Sequence, residues 1–218
     1  SGLRRESRLA IEAQLRETEG RWNEAASLYE SLWTFFPETD RYGIALAEAQ
    51  LRHGDAIDAL QTVVQLTERT RLGASPRLML VEARCRYQLS EYAEAERVAG
   101  DAAVAAEALV APRLAAQARL LEAHAMWHSV GDDRGVAAYQ ATLDAFTKLG
   151  DLRGRAETLI SLARCERDLG RLDRAEAFSR RSLAVARELG SIRAEGEALA
   201  HLGSLARLAG DLAEADTL

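Results

Sequence analysis

The sequence predicts an all-α protein built from repeated helix-turn-helix units. Stretches with apolar residues at helical spacing fill most of the chain, and nowhere does an alternating strand pattern bounded by turn residues appear. Between these stretches a turn motif recurs, in which a Gly, or once a Ser, is soon followed by an Ala. The motif begins at Gly20, Gly54, Ser90, Gly170 and Gly210, with a looser copy at Gly131.

Residues that start or stop helices bound each predicted element. Pro37, Pro76 and Pro112 all fall where one helix ends or the next begins, which proline tolerates. Asp151 and Ser191 are suited to cap helix N-termini. Three further stops are glycines that each directly follow a Leu, as is typical of a helix that ends in a left-handed residue: Gly73, Gly150 and Gly190.

These signals predict twelve helices in six pairs within a single domain that spans residues 1–218. The turns recur about every 34 residues at first and about every 40 later, so the later helices are longer by about a turn. The predicted helices are 4–19, 22–35, 40–53, 56–71, 76–89, 92–109, 112–129, 133–149, 152–169, 172–189, 192–209 and an incomplete 212–218. The corresponding repeats are 4–37, 40–73, 76–110, 112–150, 152–190 and 192–218.

Small residues lie at matching positions on both helices of most pairs. On the second helix they follow the turn, and on the first helix they precede it. Small side chains at a crossing let two helix axes approach to about 8 Å. The predicted crossing residues are Ala13, Ala25, Ala47, Ala59, Ala83, Ala95, Ala163, Ala175, Gly203 and Ala215.

This arrangement resembles the tetratricopeptide repeat. Ala13, Gly20, Ala25, Tyr29 and Pro37 match its small, turn, small, aromatic and terminal-proline positions. Leu199, Leu202, Gly203, Gly210 and Ala215 match its first-helix signature in the sixth repeat. Two repeats depart, because Ser90 replaces a turn glycine and His124 occupies a small position. The resemblance implies a right-handed α-solenoid of about six repeats whose inner surface binds a partner.

A finer resemblance is to the repeat regions of large bacterial signalling proteins. It is carried by the segments 22–37, 42–50 and 149–156. In such proteins these repeats accompany a kinase domain, a winged-helix domain or an ATP-dependent activator. Motifs of those effector domains are lacking in this sequence, so the resemblance implies an excised regulatory arm. The short sixth repeat fits that interpretation.

Composition narrows the expected partners and location. The net charge of −6 argues against nucleic acid as the main ligand, which needs a basic face. Apolar runs stay well short of the length that a membrane helix requires. Cys85 and Cys165 lie far apart inside helical stretches and are interpreted as small buried residues of a reducing compartment. We therefore expect a cytoplasmic protein.

Catalytic and metal-binding signals are weak. His124 and His128 are one helical turn apart with Glu122 nearby, but the zincin motif needs a Glu directly after the first His. Arg164 and Arg167 flank Cys165 and would lower its thiol pKa if they faced it. The glycines stand singly and form no phosphate-binding loop. We predict no enzyme activity, no cofactor and no metal.

The inner surface of the first helices is the predicted binding site. Arginine has a planar fork that suits carboxylates, so an acidic peptide or a chain terminus is a fitting ligand. In the alternative interpretation these arginines pair with Glu157, Asp168 and Glu197 and merely solvate the groove. The predicted partner-binding residues are Glu48, Arg52, Arg84, Tyr87, Gln88, His128, Arg164, Arg167 and Arg207.

An aromatic cluster marks the first repeat. One interpretation is local core, and the other is a docking face for a neighbouring domain. The cluster consists of Trp22, Tyr29, Trp33, Phe35 and Phe36.

The expected function is that of a non-catalytic module that binds a protein or peptide and regulates an attached signalling domain. Two alternatives stay open: a scaffold that self-associates through its open C-terminal face, and a sensor arm that binds a small molecule in the groove.

Overall fold

The computed structural model describes residues 5–70 and 75–210, and within them the chain forms eleven α-helices and no strand. The helices are α1 (Arg5–Thr18), α2 (Trp22–Phe35), α3 (Asp40–His53), α4 (Ala56–Thr70), α5 (Pro76–Gln88), α6 (Tyr92–Ala108), α7 (Pro112–Val130), α8 (Asp133–Lys148), α9 (Leu152–Asp168), α10 (Leu172–Leu189) and α11 (Ile192–Ala209). Their ends agree with the sequence prediction to within about one residue, the usual uncertainty of a helix boundary. Outside the described residues lie the predicted helix ends at 4 and 71, the predicted stop at Gly73 and the predicted helix 212–218 with Ala215.

Helix starts follow the predicted capping chemistry. The Asp151 carboxylate accepts a hydrogen bond from the Gly154 backbone N–H at 3.0 Å, and the Ser191 hydroxyl accepts one from Ala194 at 3.3 Å. These bonds satisfy donors that a helix N-terminus otherwise leaves without partners. Pro76 and Pro112 occupy the first turns of α5 and α7.

Left-handed residues end most of the helices, as the turn motif predicts. The turn glycines have φ between 60° and 108°, and Ser90 takes the same conformation at 63°. Val110, in the turn after α6, also has a positive φ, of 54°. A β-branched residue rarely adopts this conformation, so nothing in the sequence marked the position.

Contacts divide the chain into two compact units, Ser1–Ala105 and Ala106–Leu218, with the boundary inside α6. Within unit 1, helices that are neighbours in the chain pack together from α1 to α5, and α3 also contacts α5. Unit 2 repeats the arrangement: α7 to α11 pack in sequence, and α9 contacts both α7 and α11. The first helices α3 and α5 therefore lie side by side in unit 1, as do α7, α9 and α11 in unit 2.

The predicted crossing residues are buried. Ala13, Ala25, Ala47, Ala59 and Ala83 are each 0% exposed in unit 1, as is Ala95. Ala163 and Ala175 are likewise 0% exposed in unit 2, where Gly203 is also buried. Small side chains thus let paired helices come close, while larger apolar residues fill the space beside them. The core of unit 1 includes Leu32, Val63 and Leu66, and that of unit 2 includes Phe146, Leu159 and Leu162.

Two glycines inside helices allow further close contacts that the sequence analysis did not single out. A Cβ on Gly154, in α9, would overlap the ring of Phe146. A Cβ on Gly43, in α3, would lie 2.6 Å from a Leu66 methyl carbon. Neither neighbour has room to move, because Phe146 and Leu66 are buried. Both glycines therefore serve helix packing.

The aromatic cluster of the first repeat divides between core and surface. Tyr29 and Trp33 are buried, which confirms the core interpretation for these two residues. Phe35 is 57% exposed, and Trp22 and Phe36 are half-buried. The structure gives no partner domain at this surface, so the docking role of Phe35 stays a prediction.

Candidate functional site

The predicted partner-binding residues lie on the first helices of the pairs, and they fall in both units. We name two surfaces, each by its predicted residues. The first-helix surface of unit 1 consists of Glu48 and Arg52 on α3, with Arg84, Tyr87 and Gln88 on α5. The first-helix surface of unit 2 consists of His128 on α7, Arg164 and Arg167 on α9, and Arg207 on α11.

Charged residues of the unit 1 surface interact with other side chains of the same unit. Glu48 accepts hydrogen bonds from the Arg77 guanidinium at 3.1 and 3.2 Å. The Arg52 guanidinium lies 5.6 Å from the centre of the Trp22 ring, a cation–π contact. Glu17 is close to Glu48, and burial raises the pKa of the Glu17 carboxyl. Acidic and basic groups are therefore mixed on this surface.

The α5 residues of the unit 1 surface contact neighbouring segments. The Tyr87 ring packs edge-on against Tyr92, with centroids 5.6 Å apart. The Gln88 amide donates a hydrogen bond to the Leu51 carbonyl at 3.4 Å. Arg84 is half-buried. Tyr87 and Gln88 thus help to hold the end of α5 in place.

The unit 2 surface carries more available positive charge. Arg167 pairs with Asp168, its neighbour in the chain, at 2.8 Å. Arg164 and Arg207 are exposed, and within residues 5–70 and 75–210 neither has a carboxylate partner. Of the acids proposed to neutralise this groove, Asp168 pairs with Arg167, and Glu197 pairs instead with Arg193 at 3.1 Å. Within the described part of the chain, Arg164 and Arg207 are therefore not neutralised by these acids.

Two histidines lie near Arg164, and sequence reasoning did not foresee their environment. The Nε2 atom of His124, on α7, is 3.2 Å from the Ser161 hydroxyl, and its half-buried ring packs edge-on against Tyr139. The Nδ1 atom of His201, which is buried on α11, is 2.8 Å from the Ser179 hydroxyl. The residues around each ring come from other helices, so the sequence near His124 and His201 does not reveal them.

Desolvation lowers the pKa of His124 to about 4, and the nearby charges of His128 and Arg164 add to the effect. Desolvation also lowers the pKa of His201 to about 4, with contributions from Arg167 and Arg164. Both imidazoles are neutral at pH 7. Since Arg164 influences both histidines, it lies between α7 and α11 on the unit 2 surface.

Glu166 is a second residue that the sequence analysis missed. Its side chain is fully buried at the end of α9, where the Arg174 guanidinium approaches it at 2.8 Å and Arg171 at 3.5 Å. Neither contact has the alignment of a hydrogen bond, so we describe Glu166 as held by charge attraction. Arg171 also donates to Asp133 at 3.0 Å, which links α8, α9 and the start of α10.

The cysteines are buried and unreactive in the folded chain. Cys85 and Cys165 are free thiols, as predicted, and burial raises the pKa of each to about 12. Arg164 acts to lower the Cys165 pKa, but desolvation of the thiolate and the charges of Asp168 and Glu166 outweigh its effect. Across residues 5–70 and 75–210 no three His, Cys, Asp or Glu side chains converge as metal ligands would.

None of the described helices is long and apolar enough to cross a membrane.

Sequence comparison gives no assignment: no protein-family model matches the chain, and no curated protein matches it either. Solved structures do match. A thermophilic tetratricopeptide-repeat protein of Thermus thermophilus has a TM-score of 0.69 and 20% identity, with 90% of this chain and 98% of that chain covered.

Two further matches are a signal transduction ATPase and a Rap protein. A signal transduction ATPase with a tetratricopeptide-repeat sensor, from Pyrococcus horikoshii, has a TM-score of 0.76 and 12% identity. The match covers 95% of this chain and 32% of that one. A Rap protein complexed with competence and sporulation factor has a TM-score of 0.72 and 10% identity, with 96% and 71% covered. The chain therefore has the tetratricopeptide-repeat fold, with about six helix pairs.

Proposed function

We propose that this chain is a non-catalytic repeat module that binds an acidic protein segment or peptide through the first-helix surface of unit 2. The observation that carries the proposal is the pair Arg164 and Arg207, which are exposed and have no carboxylate partner among the described residues. Many arginines elsewhere in the described chain are paired with acids. An unneutralised arginine on a binding surface is a natural contact for a carboxylate.

The electrostatics around Arg164 favour an anionic ligand. His124 and His201, whose pKa values Arg164 helps to lower, are neutral at pH 7, so they add no competing positive charge beside the exposed guanidinium. The guanidinium can form a charge-assisted, bidentate hydrogen bond with a carboxylate. The net charge of −6 opposes an acidic partner at long range. Recognition therefore depends on local contacts at this surface.

The comparisons support a regulatory role in a larger protein. The Rap structure was solved with competence and sporulation factor, and the ATPase has its repeats as a sensor. By analogy, we propose that this chain is the regulatory arm of a bacterial signalling protein located in the cytoplasm. Ligand binding would then favour one of two states of the attached effector domain.

The proposal is tested with a fluorescein-labelled peptide of alternating Glu and Leu residues and a matched peptide of alternating Gln and Leu. Fluorescence anisotropy of the full chain should show binding of the acidic peptide that weakens as salt increases. Arg164→Glu and Arg207→Glu should each weaken it by about tenfold or more, since a repulsive contact replaces an attractive one.

Arg193→Glu is the matched control, because Arg193 is exposed at the start of α11 and is not part of the proposed surface. The control should change the affinity by less than about twofold. Equal binding of the Glu and Gln peptides would overturn the proposal, as would equal effects of Arg164→Glu and Arg193→Glu.

A further inference from the structure

A polar cleft lies in unit 1, away from the first-helix surfaces. It is formed by α2 and α4, the second helices of the first two pairs, with α3 between them, and its volume is about 360 Å³. This volume lies at the lower end of the range for small-molecule sites. The residues that the argument uses are Glu30 and Trp33 on α2, Gln50 on α3, and Asp58, Thr62 and Arg69 on α4.

Trp33 and Gln50 line the cleft, are less exposed than its charged residues, and supply what we call its inner donors, N–H groups without acceptors. Trp33 is only 7% exposed, and its indole N–H is buried with no hydrogen-bond partner. Gln50 accepts a hydrogen bond from the Thr62 hydroxyl at 2.8 Å through its carbonyl oxygen. At least one N–H of the Gln50 amide has no acceptor among the described residues, because the contact with Thr62 can use only one of the two. A buried donor without a partner has lost its hydrogen bond to water without replacing it, so an acceptor is favoured here.

The outer part of the cleft carries charges of both signs that are not neutralised within the described chain. The Arg69 guanidinium lies 5.0 Å from the centre of the Trp33 ring and has no carboxylate partner there. Glu30 and Asp58 are exposed and have no basic partner there either. A cleft with one cation, two anions and inner donors is complementary to a ligand that also carries both charges.

An ordered water would satisfy the Trp33 N–H, but it would leave all three charges without partners. A neutral polyol would do the same. A free carboxylate would meet Arg69 and the inner donors but would be repelled by Glu30 and Asp58. A zwitterion with an additional positive charge matches every group and cancels the net negative charge of the cleft.

We propose that this cleft binds a small zwitterion of the size of a basic α-amino acid. Its carboxylate would be held by Arg69, the Trp33 N–H and the Gln50 amide. Its cationic nitrogens would be held by Glu30 and Asp58. Arg69 covers the indole, so its side chain must turn toward the ligand carboxylate before the Trp33 N–H can be reached. This exposed side chain can do so without disturbing the core.

Isothermal titration of the full chain with L-arginine tests the proposal, with L-argininamide and D-glucose as comparison ligands. Argininamide keeps the cationic groups and lacks the carboxylate, so it should bind at least about tenfold more weakly, the effect of losing charge-assisted hydrogen bonds. Glucose should give no binding heat. Dissociation constants for arginine should lie between about 10 μM and 1 mM, as expected for so small a ligand.

Exposed charges provide variants that keep the fold. Arg69→Gln and Glu30→Gln should each weaken arginine binding by about fivefold or more, because each removes one charged contact. Glu38→Gln is the matched control, an exposed acid in the turn after α2 that does not line the cleft. Trp33→Phe removes the indole N–H, retains an aromatic ring and should also weaken binding.

Three outcomes would overturn the proposal: no binding of arginine, equal affinities for arginine and argininamide, or equal losses in Glu30→Gln and Glu38→Gln. Stronger binding of glucose would overturn the zwitterion class. The proposal for the cleft and the proposal for the unit 2 surface can be contradicted independently of each other. Arg69→Gln should leave binding of the acidic peptide unchanged, and Arg164→Glu should leave binding of arginine unchanged.

Discussion

Val110 combines an exposed apolar side chain with a backbone conformation that suits glycine. It is 84% exposed and has φ of 54°, and its N–H donates to the Glu107 carbonyl at 3.0 Å in the turn after α6. Left-handed conformation costs an ordinary L-residue about 1–2 kcal/mol, and a β-branched side chain suffers most. A second backbone hydrogen bond, from the Ala111 N–H to the Ala106 carbonyl at 2.9 Å, helps to hold the turn in this conformation.

Replacing Val110 by Gly should therefore stabilise the protein. The substitution removes the backbone strain and loses little packing. The greater entropy of the unfolded glycine chain offsets part of this benefit. We therefore expect a net gain of about 0.5–1 kcal/mol in the free energy of unfolding. Urea denaturation followed by circular dichroism measures it.

Val104→Gly is the matched control, since Val104 is 58% exposed within α6. A glycine there should destabilise by about 0.5–1 kcal/mol. Loss of stability in both variants would show that Val110 is not strained.

At the scale of single elements, two glycines of α9 and α11 give opposite predictions for one substitution. Gly154→Ala in α9 should destabilise by about 2–4 kcal/mol, because the new methyl group overlaps the buried Phe146 ring. Gly196→Ala in α11 meets no atom within 4 Å and should stabilise by about 0.5–1 kcal/mol through helix propensity.

Thermal unfolding of the two variants beside the parent protein measures both effects. The same chemical change is made within a helix each time, so the difference isolates packing. A stable Gly154→Ala variant would mean that α8 and α9 can move apart without loss.

The elements that the sequence predicted correctly are those whose signals are local. Turn glycines, Pro76, Pro112, Asp151 and Ser191 act on the residues next to them, so one stretch of chain suffices to interpret them. The crossing alanines are visible because they repeat.

Side chains whose roles depend on several helices could not be predicted in the same way. Glu166 reads as an ordinary surface acid until Arg171 and Arg174 are placed beside it. The cleft at Trp33 is formed by α2, α3 and α4 together, so no single stretch of sequence reveals it. The sequence predicted that Trp33 is buried, but not that its indole N–H has no hydrogen-bond partner. For the binding surface, the sequence identified Arg164 but not the histidines around it.

At the scale of the whole chain, acid stability should depend on His124 and His201. Their pKa values are lowered to about 4 in the folded state, whereas an unfolded histidine has a pKa of 6.5. Between about pH 6.5 and 4 the unfolded chain therefore binds protons that the folded chain does not. Their contribution to stability is fully present above pH 6.5 and is lost as the pH falls to about 4.

Two such histidines should lower the free energy of unfolding by about 2 kcal/mol each, roughly 4–5 kcal/mol together, between pH 7 and pH 4.5. Urea denaturation across this range measures the slope, and the variant His124→Gln/His201→Gln should flatten it. His53→Gln, at an exposed position, should leave the slope unchanged. A slope that persists in the double variant would assign the effect to other groups. Glu17 acts in the opposite direction, since its raised pKa favours the folded state as it becomes protonated.

The two cysteines of the sequence are divided between the units, Cys85 in unit 1 and Cys165 in unit 2, and both are sealed in their cores. A thiol-reactive reagent can modify either one only when the surrounding helices come apart. Labelling followed by peptide mass spectrometry would therefore time the opening of each unit independently, with no engineered probe. Comparing the two rates would show whether the repeats unfold together or one half at a time.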